Sequence, residues 1–272
     1  MAKEANSVED MKTKPIADLI KFIANSVNFV CTGKGGVGKS YVAQTLGQYF
    51  LHYKKVPTST GDADPVNAST YRVKALNPVF IKIMENNTIL QSMFDQVMDS
   101  IVNNDDQTFV LDTGASTYIP LMKYFHDNDL IEFLSSLDRP VYLHTIIVAG
   151  QELPDTLAGF TSLCDMVKGS NVKVIAWVNE VSGKPMVESK GSQIPLVETP
   201  FFDKYADSLA GVVVIENRNS DAFEQDLKLL TSQNLTLEEV KNSDKFNVMQ
   251  KARLNKVYKG IYEQLDEIYT LS

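Results

Sequence analysis

Gly33-Lys34-Gly35-Gly36-Val37-Gly38-Lys39-Ser40 satisfies the pattern G-x-x-x-x-G-K-[ST], a spacing that builds a cradle for a triphosphate. Glycines let the backbone curl until successive N–H groups converge on phosphate oxygens. Lys39 supplies positive charge to the terminal phosphates. The Ser40 hydroxyl is placed to hold Mg²⁺, and Tyr41 completes the binding stretch. The apolar run Asn28-Phe29-Val30-Cys31-Thr32 predicts a strand leading in. Ser40 to Leu51 predicts a helix leading out, its positive N-terminal dipole aimed at the phosphates. The pattern predicts a nucleoside triphosphate site.

Carboxylates follow two further strand-like runs. Asp112 ends Thr108-Phe109-Val110-Leu111, where an acidic residue can organise a Mg²⁺ water shell together with Ser40. The Gly114 that follows suits a segment reporting whether the γ-phosphate is present. Asp62-Ala63-Asp64-Pro65 places two carboxylates at i, i+2 after an earlier strand, either as chemistry or as a turn that Asp and Pro favour. Lys34 is a second lysine in the glycine loop, with a merely solvated charge as the lesser alternative when it is taken alone.

These residues need a scaffold. Strands are predicted near Phe29–Thr32, Pro57–Asp62, Val79–Met84, Thr108–Asp112, Val141–Val148, Val172–Asn179 and Gly211–Glu216. Helical patterns lie between several of them, at Ile89–Val102, Ile119–Ser135 and Leu153–Val167. That alternation predicts an α/β fold: a doubly wound, mostly parallel sheet with helices on both faces. In such sheets ligands sit at the C-terminal ends of the strands, where the glycine loop and the carboxylates all fall. Residues from about 220 to 272 predict a helical C-terminal region, with Thr236-Leu237-Glu238-Glu239 as a helix-starting capping box. Residues 1–26 form an N-terminal extension with a short amphipathic run, Ile16–Ile23, and residues 27–272 a single domain.

Composition bounds the function. A chain of 272 residues, 44% hydrophobic and 22% charged, is ordinary for a globular protein, and no apolar run is long enough to cross a bilayer. Cys31 in the first strand and Cys164 in a later helix predict buried, reduced thiols and a cytoplasmic setting. His52, His126 and His144 have no metal-ligand spacing. A net charge of −8 disfavours a general DNA-coating role. Lys241, Lys245, Lys251, Arg253, Lys256 and Lys259 cluster locally, with Asp244 as the opposing charge. They form either a solvated helix face or a patch for nucleic acid or an acidic partner.

The K-G-G-x-G-K-[ST] form resembles the deviant P-loop of the ParA/MinD family of ATPases. The resemblance implies ATP and Mg²⁺ as ligands, and slow, partner-stimulated hydrolysis to ADP and phosphate. It also implies a homodimer in the ATP state, in which Lys34 reaches the nucleotide held by the other subunit. It casts Asp64, before Pro65, as the residue orienting the attacking water. Asp62 would support the Mg²⁺ shell, and Asn179 would hydrogen-bond the adenine ring through its amide. The loop from Asn217 to Ser220 would close over the base. Glu180-Val181-Ser182 after Asn179 lacks the N-K-x-D pattern of guanine recognition, which favours ATP.

A narrower resemblance is to the TraL and StbB type proteins of conjugative and mobilisable plasmids. It is carried by Asp62 to Asn67, Leu111 to Ser116 with Ile119-Pro120-Leu121, His144-Thr145, Gly150 to Phe160, and Trp177 to Glu180. Phe223 with Asp226-Leu227 and Met249 with Arg253-Leu254 match more weakly. It implies partners in a plasmid transfer or partition machinery, through which the protein could sit peripherally at the inner membrane. The N-terminal extension is not part of that pattern, and Asp112-Thr113-Gly114 stands where many partition ATPases carry Asp-Thr-Pro. The competing readings are a small-molecule P-loop enzyme of the dethiobiotin synthetase kind and a nucleotide-binding adaptor that rarely hydrolyses. No second substrate pocket is identifiable for the former.

Overall fold

The computed structural model describes residues 25–85, 88–189, 191–217 and 221–271. The amphipathic run Ile16–Ile23, and the predicted base-covering loop beyond Asn217, lie outside the described residues. Seven strands form one parallel sheet: β1 (Val27–Val30), β2 (Thr58–Ala63), β3 (Val79–Phe80), β6 (Thr108–Thr113), β7 (Val141–Val148), β8 (Lys173–Asn179) and β11 (Leu209–Ile215). Their spatial order is β11-β8-β7-β1-β6-β2-β3. The chain winds from the central β1 to one edge, returns through β6, and then builds the other half. The loop after β1 therefore opens at the reversal point, where such sheets bind ligands. Every residue of β1 and β7 is buried, as expected for central strands of a parallel sheet covered on both faces.

Helices cover both faces. One face carries α1 (Lys39–Gln48), α6 (Asp221–Ser232), α7 (Leu237–Asn242) and α8 (Val248–Leu271). The other carries α2 (Gln91–Asn103), α3 (Tyr118–Asp127), α4 (Leu130–Ser135) and α5 (Leu153–Met166). Two antiparallel hairpins, β4–β5 (Met84–Glu85, Thr88–Ile89) and β9–β10 (Met186–Ser189, Ser192–Pro195), stand outside the sheet. The capping box at Thr236 forms in full, as expected.

Three expectations need correction. The predicted helix Ile119–Ser135 is two helices, because Asp129 adopts a left-handed φ of 48° after α3 and the Asn128 amide donates back to the Tyr124 carbonyl. The predicted strand Val79–Met84 is two two-residue strands in different sheets, β3 and β4. The helix predicted to end at Leu51 continues as a π turn, Tyr49–Lys54. That turn sets Tyr49 and Tyr53 against Tyr262 of α8, at ring centroid distances of 5.6 and 4.8 Å.

A buried polar chain crosses the sheet. Trp177 Nε1 donates to His144 Nδ1 at 3.0 Å, leaving the His144 Nε2 proton to bond Asn28 Oδ1 at 3.1 Å. Tyr269 donates to the same oxygen at 2.5 Å. Burial holds the His144 imidazole neutral, with its pKa lowered to about 3. At the β11 edge, the Gln264 amide accepts from Val214 N–H at 2.7 Å and donates to Val214 C=O at 3.1 Å. No helix among the described residues is long and apolar enough to cross a membrane.

Candidate functional site

Register brings the carboxylates together. β2 and β6 pair so that Asp62 lies opposite Asp112, and β1 pairs with β6 so that Val30 lies opposite Asp112. The glycine loop therefore leaves β1 beside Asp112, with Asp62 one strand further out. Gly38 precedes α1 with φ 102°, a left-handed conformation that glycine adopts without strain. The orphan N–H groups of the first turn of α1 face the loop. Packing admits no side chain at Gly33, where a Cβ would lie 2.8 Å from the Tyr118 ring.

Lys39, Asp62, Asp64 and Asp112 are all at most 7% exposed. Lys39 Nζ donates to Asp112 Oδ1 at 2.5 Å and lies 3.9 Å from Asp64 Oδ2. The other Asp112 oxygen accepts the Thr70 hydroxyl at 2.7 Å. Asp62 accepts backbone N–H groups from Asp64 at 2.9 Å and Tyr71 at 2.8 Å. Burial nevertheless pushes its carboxyl above the usual range, with the neighbouring Asp112 charge adding to the shift. Asp64 Oδ1 accepts from Val66 and Asn67 N–H, closing the turn that Asp-x-Asp-Pro favours. The turn forms, and it leaves the other Asp64 oxygen on the Lys39 side. One lysine faces three buried carboxyls, an arrangement short of positive charge.

That deficit, with hard oxygen donors from Ser40, Asp62 and Asp112, suits Mg²⁺. Among the described residues, no group of three or more His, Cys, Asp or Glu forms a self-sufficient metal cage. A cation here would be completed by water and phosphate oxygens, as Mg²⁺ commonly is.

The remaining expected residues are placed less directly. The Tyr41 ring packs on Tyr258 of α8 at 6.0 Å, so only its backbone N–H is left for the loop. The Asn179 amide donates to Val37 C=O at 3.0 Å and accepts from Val181 N–H at 3.1 Å, bracing the phosphate loop from behind. The amide keeps one further N–H and one further oxygen lone pair beyond these two bonds. Cys31 is buried under the loop, and burial raises its thiol pKa to about 12. It is inert, and so is the free, buried Cys164. Lys34 lies at the surface, ion-paired rather than alone. It pairs with Glu152 and, at 3.0 Å, with Asp155, and these carboxylates raise its pKa.

Glu152 and Asp155 were missed as partners of Lys34, although the run Gly150 to Phe160 stood out in the sequence. Their i, i+3 spacing at the start of α5 puts both on one side of the helix. Thr70 was also missed, since nothing in its local sequence marks it. In the basic cluster, the single opposing Asp244 is corrected. Lys241 pairs with Glu238, Arg253 with Asp226 and Lys259 with Glu263, while Lys245 bonds Gln233 and Lys251 the Lys241 carbonyl. Much of that charge is engaged within the fold.

No family model matches the chain. Two proteins called TraL from Escherichia coli are similar to it. One is 29% identical over 240 residues, covering 88% of this chain and 97% of the relative. The other is 27% identical over 245 residues, covering 90% and 99%. Among solved structures, the MinC:MinD cell division protein complex of Aquifex aeolicus contains a similar chain. It shares 13% identity at a TM-score of 0.51, over 89% of this chain and 95% of that one. By fold and sequence together, the chain is a TraL-like protein with a ParA/MinD-like P-loop NTPase fold.

Proposed function

We propose that this protein binds Mg·ATP in the Gly33–Ser40 loop, hydrolyses it slowly, and works as a nucleotide-switched homodimer in plasmid transfer or maintenance. The observation that carries the reading is the buried Lys39 beside Asp62, Asp64 and Asp112, directly after a glycine loop at the end of the central strand. Arriving phosphates would draw Lys39 from Asp112. Mg²⁺, held by Ser40 and through water by Asp62 and Asp112, would neutralise charge on the transferring phosphoryl group. Asp64, with its second oxygen facing Lys39, is the group assigned to orient the attacking water. A carboxylate suffices there, because phosphoryl transfer needs positioning more than a strong base.

Lys34 supplies the switch. In the single chain its ammonium is held by Glu152 and Asp155. In the dimer it would exchange these partners for the other subunit's phosphates, and hydrolysis would return it. The complex of MinD with MinC makes a protein partner for the dimer a reasonable expectation.

Light scattering with phosphate release tests this. Asp64→Ala should retain ATP binding, lose turnover and double in molar mass with ATP. Adding Lys34→Ala should return it to monomer with nucleotide still bound. Equal masses in ATP and ADP, or unchanged turnover in Asp64→Ala, would sink the switch or the assignment of Asp64 respectively.

A further inference from the structure

Asp112 is bonded on both oxygens, and the two partners differ in kind. Lys39 on Oδ1 is a ligand-facing cation that phosphates would recruit. Thr70 on Oδ2 is a fully buried hydroxyl with no route to a ligand. Thr70 belongs to the segment after Asp64, and that segment is tied down at three successive residues. The Ser69 carbonyl accepts from Gln44 of α1 at 3.2 Å, Thr70 bonds Asp112, and Tyr71 N–H bonds Asp62. Ala68 turns the chain into this position with a left-handed φ of 42°. The segment after β2 is thereby fixed to the carboxylate that ends β6.

We propose that Thr70 is a positioning residue for the metal. Its hydroxyl pins Oδ2 of Asp112, so that Oδ1, once Lys39 moves to the phosphates, remains turned toward the phosphate loop as the oxygen that serves Mg²⁺. Without that bond the carboxylate can rotate about its terminal torsion, which is broad and two-fold for Asp. Groups that orient a metal's ligands commonly change metal affinity by about 10–100-fold when removed. The inference rests on the Mg·ATP reading above.

The test follows a fluorescent ATP analogue binding to the full chain, first in EDTA and then across a Mg²⁺ series. Thr70→Val removes the donor at nearly constant volume, and Thr70→Ser keeps it. Thr70→Val should need about ten-fold more Mg²⁺ for half-maximal gain in affinity, with its affinity in EDTA within about two-fold of wild type. Thr70→Ser should superimpose on wild type. If Thr70→Val does not fold, Thr70→Ala carries the same expectation. An unchanged Mg²⁺ requirement, an equal loss in EDTA, or failure of Thr70→Ser to restore the requirement would overturn the role of Thr70. Absence of nucleotide binding by the wild type would instead overturn the reading beneath it.

Discussion

Replacing Lys39 by Met should destabilise the fold as well as abolish nucleotide binding. Lys39 and Asp112 approach to 2.5 Å, with side chains 8% and 0% exposed. At an effective dielectric of about 20, such a pair attracts by about 7 kcal/mol, most of it offset by desolvating both ions. The pair adds little net stability, yet removing only the lysine leaves Asp112 uncompensated beside Asp62 and Asp64. Breaking a buried pair in this way costs about 3–5 kcal/mol, a large part of an ordinary folding free energy of about 5–15 kcal/mol. Urea unfolding without nucleotide measures it directly. With a slope of about 3 kcal/mol/M, the midpoint should fall by about 1–1.7 M. Lys39→Met with Asp112→Asn should recover at least half of the loss, because the amide still accepts the Thr70 hydroxyl. A single variant within about 1 kcal/mol of wild type, or a double variant no more stable than the single, would refute the reasoning. Loss of nucleotide binding in a Lys39 variant therefore has to be read beside its melting curve.

Two further outcomes are expected. His144 is neutral when folded, with a pKa near 3, but takes up a proton near pH 6.5 when unfolded, so acid favours the unfolded chain. Stability should fall by about 2 kcal/mol from pH 7 to pH 5 through this group alone. Urea midpoints at the two pH values would check it, and a His144→Gln variant with the same pH dependence as wild type would contradict it. Gly114→Ala would set a Cβ 3.0 Å from Asp64 Oδ1 and 3.1 Å from its Cα. The crowding should cost about 1–3 kcal/mol, or about 2–10 °C in Tm, and should lower ATP turnover. An unaltered melting temperature would show that the contact relaxes freely.

The parallel sheet was legible because its strands are apolar on both faces, and the glycine loop because its spacing is set by phosphate geometry. Asp62 and Asp112 were findable from their places at strand ends, and register then made them neighbours. What stayed hidden depended on distance in sequence. Lys34 meets Asp155 across 121 residues and Thr70 meets Asp112 across 42, and no local period marks such pairs. The same is true of the π turn, whose tyrosines pack on Tyr262 of a helix some two hundred residues later. The β9–β10 hairpin escaped because its short, partly exposed strands carry no apolar run. The glycine at position 114 acquires a reason only in three dimensions: Asp64 occupies the space a side chain would need.

Gln264 gives the C-terminal helix a second office. Its amide satisfies both backbone groups of Val214, as a neighbouring strand would, while Ile268 lies where Gly211 leaves room for it. An unprotected seven-residue strand at the rim of a sheet is a template for another chain. Here one side chain impersonates the missing neighbour and α8 roofs the strand. A fragment ending before α8 would lose that disguise and expose a sticky rim, so the tail belongs to solubility as much as to packing.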